Sequence, residues 1–243
     1  MPVGSRTQTI TTPDGGEMGA YISVPESGSG PGLVVLMEIY GVGPYIRRAT
    51  ERLAELGYVA IAPDLYRRLE PGAELDHDEA GLEQAFQLSR RLDQQGAVDD
   101  ARAALDALRL LPEVEGHDAG VLGFCLGGTL AYHVAVTADP ACAVCYYGSR
   151  IPDSLELATQ IDCPVLFHFG GDDPYISRDS VEKVCEFAAR HSGWECHIQP
   201  GAGHAFDNHE APMFYVPEAA DAAWELTQDF LTRTLGVHSS LPS

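Results

Sequence analysis

Short β-branched or apolar runs alternate along this chain with longer segments of helical periodicity. That pattern predicts an α/β fold, a mainly parallel central sheet with helices on both faces. Length and composition agree. The chain has 243 residues, 45% hydrophobic and 21% charged, near the upper end of what one core can organise, so one domain over residues 1–243 is expected. No internal repeat and no Pro- or Gly-rich linker divides it.

The strands are expected at Gly19–Val24, Leu33–Glu38, Val59–Ala62, Ala119–Phe124, Cys142–Tyr147, Val165–Gly170 and Glu195–Gln199. Each is short, and most are almost wholly apolar, as strands covered on both faces must be. The helices between them are expected at Arg47–Leu56, Glu79–Leu92, Val98–Leu111, Gly128–Ala138, Arg178–His191 and Pro217–Leu235. Apolar residues recur there at three- and four-residue spacing; Ala101, Ala104, Leu105, Leu108 and Leu111 form such a stripe. Tyr66 to His77 reads as a surface excursion and His238 to Ser243 as a frayed tail.

Charge narrows the function. Lys+Arg total 15 against Asp+Glu 36, a net charge of −21, so a phosphate backbone or an anionic membrane surface is repelled at long range. Nucleic acid and membrane are excluded as partners. Lys183 is the only lysine. No apolar run is long enough to span a bilayer. Met1 to Pro13 is polar without a secretory pattern, so the expected compartment is the cytoplasm and all six cysteines are expected to be thiols.

The chemistry is expected at the carboxyl ends of the strands. Gly123-Phe124-Cys125-Leu126-Gly127-Gly128 takes a strand straight into a helix, with a G-x-C-x-G core. Such a tight turn excludes side chains two residues either side of the nucleophile, and it places Cys125 at a helix N-terminus, where partial positive charge favours thiolate. Read alone, the motif also fits a buried structural cysteine beside packing glycines. Its partners weigh against that. Gly171-Asp172-Asp173-Pro174 follows a later strand, and Gly201-Ala202-Gly203-His204 follows the next. Nucleophile, acid and base thus come in the order used by α/β-hydrolases. Asp173 is preferred to Asp172 because it stands immediately before Pro174. His133 and His168 read as structural, and His209 lacks the glycine setting of His204.

With these motifs the chain resembles the dienelactone hydrolase family, the cysteine branch of the α/β-hydrolase fold. Glu38-Ile39-Tyr40-Gly41-Val42, Ala62-Pro63-Asp64-Leu65-Tyr66 and Tyr146-Tyr147-Gly148 extend the likeness over nearly the whole chain. The resemblance implies a triad of Cys125, Asp173 and His204, and an oxyanion hole from the peptide N–H groups of Ile39 and Leu126. It also implies that Glu38 is a switch, holding the resting thiol protonated and taking its proton once substrate displaces it. A carboxylate at the end of an apolar strand is costly to bury unless paired.

Two positions depart from the family. Where it carries two arginines that clamp the substrate carboxylate, this chain has Leu82 and Asn208, and a family tyrosine is Phe86. Arg150 is a candidate replacement cation. The expected function is hydrolysis of an ester or lactone through a thioester, on a small-molecule substrate, by a monomer or small homo-oligomer. The alternatives are a carboxylesterase for small neutral esters and a non-catalytic binding protein of the same fold. No cofactor or metal is expected: there is no dinucleotide or phosphate-loop motif and no His/Cys/Asp cluster at zinc spacing. Cys142 and Cys145, three apart on a strand, point to opposite faces and do not read as a redox pair.

Overall fold

The computed structural model describes residues 4–236, apart from the side chain of His117. The expected frayed tail lies outside the described residues.

Among the described residues, eight strands form one sheet: β1 (Gly4–Thr11), β2 (Glu17–Val24), β3 (Gly30–Leu36), β4 (Val59–Pro63), β5 (Val114–Phe124), β6 (Ala143–Tyr146), β7 (Val165–Gly170) and β8 (Trp194–Gln199). Their order is β1-β2-β4-β3-β5-β6-β7-β8. β1 pairs antiparallel with β2, and β2 with β4. Every other pairing is parallel. The carboxyl ends of β3, β5, β7 and β8 therefore open toward the same edge of the sheet.

Six α-helices surround it: α1 (Pro44–Glu55), α2 (Glu79–Arg91), α3 (Gln94–Arg109), α4 (Leu126–Ala138), α5 (Arg178–Ala188) and α6 (Pro217–Thr234). α4 packs on β5 and β6 and against α3. It is apolar nearly all round, with Leu130, Ala131, Tyr132 and Val134 all buried, as a helix enclosed by neighbours must be. α1 is amphipathic, burying Tyr45, Ile46, Ala49 and Leu53. The Arg52 guanidinium of α1 lies 3.9 Å from the ring centroid of Trp224 on α6. Local signals set the helix starts: Pro44 and Pro217 open α1 and α6, and Asp78 caps α2 by accepting from the Gly81 N–H at 2.8 Å.

Three expectations need correction, and one element was not foreseen. Residues 4–11 form a strand, β1, not merely a polar start. It is an edge strand whose side chains are mostly exposed, so it lacks the apolar run that betrays a central strand. β5 begins at Val114, five residues before the expected start. A 3-10 segment, Ile151–Gln160, follows β6. Two cysteines are not thiols: Cys185 on α5 and Cys196 on β8 form a disulfide, with Cα atoms 5.1 Å apart. Neighbouring packing of α5 on β8 brings them together, a proximity that compartment reasoning cannot foresee. Cys125, Cys142, Cys145 and Cys163 are free.

The Tyr66–His77 excursion is anchored at its root. Tyr66 is fully buried and its hydroxyl donates to the Ile39 carbonyl at 2.9 Å. The Asp64 carboxylate accepts from the Tyr66 and Gly72 N–H groups at 3.0 and 2.7 Å.

Candidate active site

Cys125 stands between the last residue of β5 and the first of α4 with φ 54°, a backbone state that a side chain other than glycine's rarely adopts. Its peptide is held by a Cys125 N–H bond to the Tyr146 carbonyl at 3.0 Å. The flanking glycines have a steric cause. A Cβ at Gly123 would strike the Gly127 carbonyl, and one at Gly127 the Leu36 carbonyl. The half-buried thiol is thereby lifted off the sheet at the start of α4.

The other two side chains arrive from the ends of β7 and β8. These turns approach so closely that a Cβ at Gly170 would collide with the carbonyls of Ala202 and Gly203. The Asp173 side chain is fully buried. Its Oδ1 accepts from the N–H groups of Tyr175 and Ile176 at 2.8 and 3.2 Å, which turns Oδ2 toward His204 Nδ1 at 2.8 Å. His204 Nε2 lies 3.0 Å from Cys125 Sγ. Sulfur, imidazole and carboxylate thus form one hydrogen-bonded line. Asp172 is exposed and takes no part in it. The His204 ring sits between Tyr147 and Tyr175, with centroids 5.2 and 5.1 Å away. Burial pulls the His204 pKa down, but the Cys125 sulfur and Asp173 more than offset it, so the imidazole is held well above its ordinary value.

Glu38 lies just past β3 and is 2% exposed. Tyr147 Oη donates to its Oε1 at 3.3 Å and Asn208 Nδ2 to its Oε2 at 2.6 Å. Burial raises its pKa from 4.5 to about 7, against the pull of these bonds. The carboxyl thus faces Tyr147 and Asn208, while the thiol is bonded to His204. Asn208, noted in the sequence only as a lost arginine, is a partner of Glu38. Its Nδ2 also lies 3.1 Å from His77 Nε2, and the His77 ring packs on Tyr40 at 4.1 Å. Behind Tyr147, the Tyr45 hydroxyl donates to the buried Asp207 at 2.7 Å. Tyr45, His77 and Asp207 went unseen in the sequence because each meets its partner from a distant segment.

A cavity of about 380 Å³ opens over the thiol. Glu38, Ile39, Cys125, Leu126, Arg150 and His204 all line it, as do Leu82 and Phe86. Of the candidate site residues Cys125, Asp173, His204, Ile39, Leu126, Glu38 and Arg150, all but the deeper Asp173 therefore border one space. Leu126 opens α4, where the first N–H groups have no intrahelical acceptor.

A mainly parallel sheet carrying Cys125 at the β5–α4 turn, Asp173 after β7 and His204 after β8 defines a protein of the α/β-hydrolase class. The family profile described as "Dienelactone hydrolase family" matches residues 18–235, and the chain belongs to that family. Carboxymethylenebutenolidase 1 of Cupriavidus pinatubonensis is 36% identical over 206 residues, covering 84% of this chain and 87% of that protein. The carboxymethylenebutenolidase of Pseudomonas putida is 35% identical over 224 residues, 92% and 94% of the two chains. Among solved structures, a dienelactone hydrolase-like promiscuous phosphotriesterase from metagenomic libraries superposes with a TM-score of 0.80 at 27% identity, covering 96% of this chain and 99% of that one.

Proposed function

We propose that this carboxymethylenebutenolidase-like hydrolase opens an ester or lactone through Cys125, His204 and Asp173, by way of a thioester. The observation that carries the reading is the line from Cys125 Sγ through His204 to Asp173, with contacts of 3.0 and 2.8 Å. The imidazole, held well above its ordinary pKa, is placed to carry a proton beside the sulfur.

As its proton passes to His204 Nε2, 3.0 Å away, Cys125 Sγ attacks the carbonyl carbon, and the π electrons move onto oxygen. The Ile39 and Leu126 N–H groups stabilise that oxyanion. Its collapse breaks the C–O bond, and the leaving alkoxide or enolate takes the proton from His204 Nε2. The now neutral His204 removes a proton from water, whose oxygen attacks the thioester carbon; collapse expels the thiolate and releases the acid. Asp173 holds the Nδ1–H tautomer throughout and supports the charged ring. Glu38 is bonded to Tyr147 and Asn208 and the thiol to His204, so the proton of the thiol passes to His204 and Glu38 has no step in this cycle.

Close to the sulfur the cavity favours neutral groups. Leu82, Phe86, Leu126 and Phe214 line it, and Asn208 is committed to Glu38. A substrate carboxylate adjacent to the reacting carbonyl therefore has no arginine clamp. Turnover of p-nitrophenyl acetate by Cys125→Ala tests the mechanism. The expected result is a loss of about a thousandfold or more in kcat/KM, with an acyl adduct on Cys125 detected by mass spectrometry in the unsubstituted enzyme. Retained turnover removes Cys125 from the mechanism.

A further inference from the structure

The wall of the cavity is not apolar throughout. Arg90, from the last turn of α2, and Arg150, which precedes the 3-10 segment, both line it. Arg150 and Gln94 also line an adjoining hollow of about 480 Å³ that Cys125, Glu38 and His204 do not border. Arg90 and Arg150 are both exposed, so they stand where the reactive space opens to solvent.

Their pairing is unusual for this chain. Acids outnumber bases 36 to 15, and most arginines have found a carboxylate, as Arg67 and Arg68 have in Asp100. Among the described residues, Arg90 and Arg150 make no ion pair. Arg150 Nη1 donates instead to the neutral Gln94 Oε1 at 3.0 Å, and its backbone N–H to Thr129 Oγ1 at 3.3 Å. These bonds position the guanidinium and leave most of its five donors uncommitted. The one carboxylate bordering the reactive cavity is Glu38, buried and bonded to Tyr147 and Asn208. Asp153 borders the adjoining hollow with Arg150 but is not ion-paired to it.

We infer that Arg90 and Arg150 form an anion subsite at the cavity rim, and that the preferred substrates are esters or lactones with an apolar body and a carboxylate at the end remote from the reacting carbonyl. The inference rests on the hydrolase reading above and names its substrate class. An apolar wall beside the sulfur accepts the body, and two arginines without carboxylate partners accept the distant charge. A protein of net charge −21 repels anions at long range, so a local cationic pair is what would select one anion from the rest. The subsite is not the position of the missing clamp, which falls at Leu82 and Asn208.

The test compares matched esters. One pair is 4-nitrophenyl octanoate and mono-4-nitrophenyl suberate, which differ in a terminal carboxylate on the acyl chain. The other is the butyrates of 4-propylphenol and of 3-(4-hydroxyphenyl)propanoic acid, which place it on the leaving group. In at least one pair the charged member should show a KM about tenfold lower than its neutral partner, the scale of one charge-assisted hydrogen bond. The preference should vanish in Arg90→Gln/Arg150→Gln, weaken in either single variant, and persist in part in Arg150→Lys. Equal handling of charged and neutral members in both pairs overturns the subsite, as does a preference that survives the double substitution. If neither member of any pair is hydrolysed, the hydrolase reading itself has failed; turnover of the neutral esters alone leaves that reading standing and removes the subsite.

Discussion

Cys125 and Cys145 come from neighbouring strands, for Gly123 of β5 is in register with Cys145 of β6, yet the two thiols have opposite fates. Cys145 lies within its strand, wholly buried, and burial lifts its pKa well above the ordinary thiol range. Cys142, just before β6, is pushed up to about 12 for the same reason. Cys125 lies two residues past Gly123, beyond the strand end, beside His204 and at a helix start. Residue type is the same in all three. What differs is whether the sheet still encloses the sulfur.

Thiol labelling should break or sharpen that contrast most strongly. At pH 8 a thiol with pKa about 12 is thiolate in about one molecule in ten thousand. Iodoacetamide should therefore modify Cys125 alone in the native protein and all four free thiols in denaturant, as read by peptide mass spectrometry. Comparable native labelling of Cys142 or Cys145 would erase the distinction between the turn and the strand.

A smaller effect comes from Glu38, the buried carboxyl on the facing wall. Its pKa is raised from 4.5 to about 7. Between those values the folded protein keeps a proton that the unfolded chain has released, so rising pH favours unfolding. The neutral form is fully favoured below 4.5, and the loss is complete above about 7. In urea titrations the loss of stability between pH 4.5 and pH 8 should be smaller in Glu38→Gln by on the order of 3 kcal/mol. Asp207, raised to about 6, acts in the same direction in both proteins, so the difference between them isolates Glu38 together with its coupling to Asp207. An identical decline in the variant would assign the titration elsewhere.

The third kind of cysteine is the bonded pair. Cys185 and Cys196 close a loop with a sequence separation of 11, for which chain entropy predicts about 3 kcal/mol as an upper figure. Cys185→Ser/Cys196→Ser should lose stability up to that amount in urea titration. Unchanged stability would mean that packing of α5 on β8 needs no covalent support.

The parts of this molecule legible in its sequence are those where backbone sterics leave few choices. The turn around Cys125 is one, because Gly123 and Gly127 each face a carbonyl where a Cβ would go. The central strands are another, since enclosure on both faces demands apolar runs. The positions of Asp173 and His204 followed from strand ends, and the two lie on neighbouring turns. β1 was hidden because an edge strand with mostly exposed side chains needs no apolar run. The disulfide and the surroundings of Glu38 were hidden for a different reason. Tyr147 and Asn208 reach Glu38, and His77 reaches Asn208, across long stretches of chain, and no periodicity announces which polar residues will meet. Arg90 likewise carries no motif; its lack of an ion pair is a property of the folded surface.

The bridge between α5 and β8 also bears on how the chain would behave if cut. Asp173 precedes α5 and His204 follows β8, so the turn joining these elements, from Ala189 to Gly193, separates acid from base along the backbone. A protease nick after the exposed Arg190 would leave the two fragments covalently joined through Cys185 and Cys196, and only reduction would set them free.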